Sequence, residues 1–365
     1  MKSPNNQSRI ESLDWLRGLM SISIMVYHLT YWYYGVWDSS TILGRLGLYG
    51  VTIFFILSGL SMAIVYNRYI KDIQTSIYFF IRRIFRIWPL LFLACFLLLF
   101  TVDGPKISWK AFFFTATTLF GFIRPSVHIV TGGWSIGNEM VYYAFTPLII
   151  YLYNRSKFYG NIFFFIAFVI GMIFPFTLLN SSNSFSEQFN IYINPFNNFW
   201  IFISGIALFY NLRYIAVKPI FNNSLLFLSI ILFVYYPVKG DQIKLVTGME
   251  RIIFSLVSIG IVIGFWKLYV SKHRWWYAIF EKFGLATYGI YLLHPIIRLL
   301  LDPVIAKIGI TNIPMKMILI GLVTIIFSLL TYYFFEKSFL DLGKRLTKQD
   351  GFIAKMISPS HKAGK

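Results

Sequence analysis

Runs of about 20 apolar residues recur along this chain from one end to the other. They fall at roughly 10–34, 46–66, 79–101, 134–153, 160–179, 195–212, 221–238, 250–270, 280–301 and 314–336. A helix of that length matches the hydrocarbon thickness of a bilayer. Inside hydrocarbon every backbone N–H and C=O must be satisfied within its own segment, so such runs are expected to be helical. The reading is an all-α, polytopic integral membrane protein with about ten transmembrane helices. Composition agrees, since 57% of residues are hydrophobic and only 13% charged, about half the charge of an ordinary soluble domain.

Nothing in the sequence reads as a separate soluble domain. Residues 1–340 form one transmembrane domain, and 341–365 a basic cytoplasmic tail. The first apolar run is too long for a signal peptide, and "YHLTYWYYG" offers no small-residue cleavage site, so it reads as a retained first span. The single cysteine, Cys95, excludes an internal disulfide. The net charge of +19 raises nucleic acid as a partner. The positive charges form no block, however. They sit in short loops between spans, where Lys and Arg fix the orientation of a membrane protein, and no nucleic-acid partner is expected.

One apolar stretch does not fit the count. "AFFFTATTLFGFIRP" (111–125) is short and leads into "SVHIVTGGW". If it spanned, every later basic loop would invert. If it dips in and returns, as a re-entrant segment near 109–131, the loops "NRYIKD", "NRSK", "RYIAVK", "KLYVSKHR" and "GKRLTK" all lie inside with both termini cytoplasmic. "SSNSFSEQFN", without Lys or Arg, then lies outside. Irregular backbone at membrane depth persists only where protein or a polar cavity shields it, so the dip itself points to a site.

The first run, "DWLRGLMSISIMVYH", carries an acid, a base and a histidine. Arg17 and His28 are 11 residues apart, a rise of about 16.5 Å with only about 20° of net rotation, so they share a helix face. Asp14 is one turn before Arg17 and suits a pair with it. It stands about 21 Å of helix from His28 and cannot reach it. Arg17, near the helix end, can simply snorkel, and His28 can satisfy a carbonyl. An ionisable group deep in a span is nevertheless a functional candidate by default. Glu139, in "WSIGNEMVYYAF", counts as the carboxylate clearly inside a span, at a depth estimated as similar to that of His28. The alternative for Glu139 is a bond to a neighbouring hydroxyl. His294, in "YGIYLLHP", precedes Pro295, which frees a backbone carbonyl to which the ring can donate. His128 falls in the re-entrant region, while His273 and His361 fall in basic segments. Arg82, Arg83 and Arg86, in "RRIFRIWP", crowd the cytoplasmic start of the third span. Three guanidiniums on one helix end suit a phosphate clamp, although the orientation rule alone also accounts for them. No metal-ligand spacing, phosphate-binding loop, dinucleotide fingerprint or nucleophile elbow is present.

Five motifs in order resemble one family. "SLDWLRG", with ten residues between Arg17 and His28, is followed by "GLYGVTIFFILSG", "RRIFRIWP", "WSIGNEMVYY" and "YGIYLLHP". The set resembles the acyltransferase-3 group of bacterial membrane O-acyltransferases, which acetylate cell-surface polysaccharides such as O-antigen. The resemblance implies ten spans, acetyl-CoA or another acyl-CoA as co-substrate without a metal, and a carbohydrate hydroxyl as acceptor. It implies a place in the bacterial cytoplasmic (inner) membrane. His28 and Glu139 would be catalytic, with His28 as general base and Glu139 orienting it. Arg17, Arg82, Arg83 and Arg86 would hold the coenzyme A phosphates. Asp14, Trp134, Ser135, Tyr142 and His294 would support the site. The competing class is a transporter of a lipid-linked sugar or small anion, since intramembrane His and Glu also serve proton coupling. It has less need for a phosphate clamp on one face only.

Overall fold

The computed structural model describes residues 10–101, 107–268 and 275–348, without the side chains of 275–277. His273, His361 and the tail past residue 348 lie outside the described residues. Among the described residues there is no strand. The helices are α1 (Glu11–Tyr34), α2 (Ile42–Tyr66), α3 (Ile73–Leu98), α4 (Trp109–Ala116), α5 (Phe120–Ile123), α6 (Gly133–Arg155) and α7 (Lys157–Ile173). They continue with α8 (Phe189–Tyr192), α9 (Pro195–Leu212), α10 (Pro219–Tyr235), α11 (Gly248–Trp266), α12 (Trp275–Lys307), α13 (Ile313–Thr331) and α14 (Lys337–Leu346).

Local chemistry starts several of these helices. Thr41 accepts from Gly44 N at 3.0 Å to cap α2, and Asp72 forms a reciprocal capping box with Thr75 at α3. Ser108, Ser156, Asn194 and Asn312 cap α4, α7, α9 and α13 in the same way. Arg45 closes a helix end instead. Its fully buried guanidinium donates to the carbonyls of Phe233 and Tyr236 at 2.6 Å and Ser39 at 2.9 Å, so a cation sits on the negative end of α10.

By length and composition, five helices are apolar enough to cross a membrane: Ile42–Tyr66, Lys157–Leu178, Gly248–Trp266, Ala278–Lys307 and Ile313–Leu346. The comparably long α1, α3 and α6 carry Asp14, Arg17, the three arginines and Glu139, which lower their hydropathy. The apolar windows differ in burial, 78% for α2 but 22% for Lys157–Leu178 and for Ile313–Leu346. The exposed faces of α7 and α13 are rows of Phe, Ile and Leu, which only an apolar solvent accommodates at such extent. The protein is an all-helical membrane protein with α2 at its centre.

Two packings fix depth along the bundle. α1 runs against α2 in the opposite sense: Arg17 bonds the Leu57 carbonyl and Ser61, while Gly50 meets Ile24 and Gly47 meets Tyr27. α1 and α12 run the same way, with Gly284 against Asp14 at one end and His294 against His28 further along. α2 and α9 approach backbone to backbone, since a Cβ at Gly59 would collide with the Phe202 carbonyl and one at Gly205 with the Ile56 carbonyl.

Residues 107–132 form no spanning helix. α4 ends, the chain turns at Thr118 with φ 61°, and the four-residue α5 lies against α6, Gly121 touching Gly137. Thr118 holds this uncommon backbone while its Oγ1 accepts from Trp88 Nε1 at 3.2 Å. The chain then reaches Gly132, at φ 76°, and α6 starts within the protein rather than at its surface.

Candidate active site

A cavity of about 390 Å³ lies between α1, α2, α3, α6 and α12, with Tyr332 beside it. One end is cationic. Arg17 donates to Asp14 at 2.8 Å, to the Leu57 carbonyl at 3.2 Å and to Ser61. Arg86 pairs with the buried Glu336 at 3.4 Å and lies over the Tyr288 ring. Arg83 is held differently. Its Nη2 donates to the Tyr66 hydroxyl at 3.0 Å, its guanidinium lies over the Tyr66 and Tyr143 rings, and its buried Nε has no partner. Its neighbours are neutral, so its charge is the least compensated of the three.

The middle of the cavity is a carboxylate with hydroxyls. Ser58 and Tyr143 both donate to the same oxygen of Glu139, and their own oxygens are 3.1 Å apart. At the far end the Ser135 and Tyr291 hydroxyls meet at the Gly132 carbonyl, at 2.9 and 3.0 Å. Next on α12, beyond Tyr291, stands a histidine pair. His28 Nδ1 lies 2.8 Å from His294 Nε2, and His294 Nδ1 lies 2.9 Å from the Ile290 carbonyl. Trp32 covers the pair, its ring 5.4 Å from that of His28, and Arg298 lies over Trp32 at 4.9 Å. Arg298 pairs with Asp302 at 2.9 Å, and Tyr33 donates to Asp302.

The sequence expectations fare unevenly against this geometry. The Asp14–Arg17 pair is present, and Arg83 and Arg86 line the cavity with them. Arg82 does not. It donates to Thr347 at 2.7 Å and stacks on Tyr69, fastening the C-terminal helix α14 to α3. The inward face of α3 runs through Arg83, Arg86, Ile87 and Leu90, so Arg83 and Arg86, three residues apart, share it and Arg82 does not.

Among the described residues Glu139 makes no hydrogen bond to His28. It bonds Ser58 and Tyr143 in the middle of the cavity, one helical turn after Ser135 and between the arginines and the histidine pair. The estimate of equal depth placed the start of α6 at the outer surface, whereas the chain enters α6 from an internal loop. His294 takes the position next to His28 instead. The hydroxyl alternative for Glu139 is what the structure contains.

Ser135 lines the cavity, but Trp134 packs on Phe55, Phe189 and Tyr192, and Tyr142 sends its hydroxyl to the Pro195 carbonyl at 2.8 Å. Both are core residues. His128 bonds the Pro125 carbonyl at 3.0 Å within the internal loop. Sequence reasoning passed over Ser58 and Ser61, in the second apolar run, and Tyr143, Tyr288 and Tyr291, which lie in motifs quoted for their other residues. It also passed over Glu336, a buried carboxylate at the end of the last apolar run.

The arrangement offers a cationic mouth, a polar waist and a buried imidazole pair in sequence. Such a set can hold an anionic head at one end and move a proton at the other. The model of the acyltransferase-3 family, described as an acyltransferase domain, matches residues 10–333. No curated protein and no solved structure matches the chain.

Proposed function

From the chain's membership of the acyltransferase-3 family, which makes it a membrane acyltransferase, we propose that it moves an acetyl group from cytoplasmic acetyl-CoA to a hydroxyl of a cell-surface or lipid-linked carbohydrate. The observation that carries this reading is the order of groups along one helix face. Arg17 stands with Arg83 and Arg86 at one end of the cavity, and His28 lies past the other, about 16.5 Å away. That separation has the scale of an extended pantetheine arm.

In this reading the coenzyme A phosphates rest on Arg17, Arg83 and Arg86. The arm threads past Glu139, Ser58 and Tyr143, whose polar atoms receive its amides. The thioester reaches Tyr291 and His28. The acceptor hydroxyl enters from the side of Trp32 and Asp302. His28 takes its proton as the oxygen attacks the thioester carbonyl, a contribution of about 10²–10⁴ in rate.

The topology follows the same logic. Ten spans with both termini cytoplasmic place the arginines inside, and α4–α5 form the re-entrant segment that lets α6 begin near the histidine pair. The membrane is the bacterial inner membrane, where cytoplasmic donor and exported acceptor meet. The test supplies acetyl-CoA labelled in the acetyl group to purified protein with cell-envelope glycans. Label in an alkali-labile ester on the glycan is the expected result. Transfer of label to lipid or protein alone would reject the carbohydrate acceptor.

A further inference from the structure

The geometry points to His294 as the positioning residue that sets the tautomer of His28. This inference rests on the reading of His28 as general base. The Ile290 carbonyl can only accept, so His294 Nδ1, 2.9 Å away, carries a proton and donates. In a neutral His294 ring the other nitrogen, Nε2, then has a bare lone pair. It lies 2.8 Å from His28 Nδ1. His28 Nδ1 must therefore be the N–H that donates to it, and His28 Nε2 is left unprotonated. The ring centroids are 5.1 Å apart and the planes 13° apart. With a 2.8 Å nitrogen separation the rings lie edge to edge nearly in one plane, which aims the N–H along the partner's lone pair.

The surroundings agree with a neutral chain. His294 is fully buried, and no carboxylate bonds either ring. The nearest charged groups on packed elements are Arg298 and Asp302 beyond Trp32, which compensate each other. Glu139 lies in the middle of the cavity, bonded to Ser58 and Tyr143, and Arg17 at its other end, paired with Asp14. Trp32 holds the His28 ring from one side, so both the rotation and the tautomer of His28 are set by contacts.

The arrangement uses an imidazole where other acyl-transfer sites use a carboxylate against the base. The acceptor O–H proton passes to His28 Nε2 while the acceptor oxygen forms its bond to the thioester carbon. The carbon–sulfur bond breaks, and the leaving thiolate takes that proton back from Nε2. In between, the His28 cation can pass its Nδ1 proton toward His294 Nε2, which spreads one positive charge over two rings and the Ile290 carbonyl.

The experiment compares wild type, His294→Leu, His294→Gln and His28→Ala in nanodiscs, with steady-state kinetics and ¹⁵N NMR of labelled histidine. In wild type, His28 is expected to show a protonated Nδ1 and a bare Nε2. His294→Leu, which removes the acceptor, should lose about a hundredfold or more in kcat with the acetyl-CoA KM nearly unchanged, and its His28 should shift to the Nε2–H form. His294→Gln, whose amide oxygen restores an acceptor, should recover part of kcat and the Nδ1–H signature. Loss of kcat in both His294 variants with the Nδ1–H form kept in both would make His294 merely structural and overturn the inference. So would a wild-type His28 protonated at Nε2, or full activity in His294→Leu. Failure of the underlying reading is separate: it appears as retained turnover in His28→Ala, whatever the tautomer.

Discussion

Among the three arginines that line the cavity, Arg83 is where charge and partners are most out of balance. Arg17 and Arg86 each have a carboxylate, whereas Arg83 faces tyrosines and keeps a buried Nε without a partner. A phosphate supplies what it lacks. Each charge-assisted hydrogen bond to an anion is worth about 1.5–3 kcal/mol, or about tenfold to a hundredfold in affinity. Arg83→Gln is therefore expected to raise the acetyl-CoA KM by that factor with a smaller effect on kcat, the pattern of lost uniform binding. Steady-state kinetics with a short acetyl thioester lacking the nucleotide should show little difference from wild type. Arg82→Gln should leave donor KM unchanged, since Arg82 holds Thr347 and not the cavity. Equal damage with both donors in Arg83→Gln would move the arginine from binding to folding. The sequence marked this helix end but not which of its three arginines face the cavity. Charge and spacing are visible in "RRIFRIWP", while the rotation of a helix about its axis is set by its neighbours. The same holds for His294: its motif was visible, but contact with His28 is a long-range fact that no local pattern encodes.

Among the elements, the α2–α9 contact tolerates least change. Gly59 and Gly205 let two helix backbones touch, and a side chain there meets carbonyl oxygens that cannot swing away. Gly205→Val is expected to destabilise by about 1–3 kcal/mol or more, seen as a lower thermal unfolding midpoint of detergent-purified protein. Gly321→Ala serves as the control, because its Cβ would meet only Met25 Cε at 3.6 Å. An unchanged midpoint in Gly205→Val would mean the helices stand further apart. Most helices were legible from their apolar runs, since a 20-residue run leaves few alternatives to helix. That residues 107–132 form no spanning helix was legible from the short apolar run. Where this segment delivers α6 was not legible. That depends on Gly121 meeting Gly137 and on Tyr291 meeting Gly132. The misplaced depth of Glu139 followed from this one element.

At the scale of the whole molecule, the proposed orientation puts the arginines inside and the histidine pair toward the outside. Cys95 is fully buried and gives a quiet background for thiol labelling. Ser182→Cys, on an exposed turn before α8, should react with an impermeant maleimide on intact cells. Lys71→Cys, between α2 and α3, should react only after permeabilisation. Labelling of both from outside would discard the ten-span arrangement. The most direct measurement of the central claim pairs turnover with donor binding in His28→Ala. The cavity and its three arginines are untouched by that change, so binding of a non-transferable acetyl-CoA analogue should match wild type. Acetyl transfer should fall about a hundredfold or more. Turnover above about a tenth of wild type would contradict the assignment of His28 as the base.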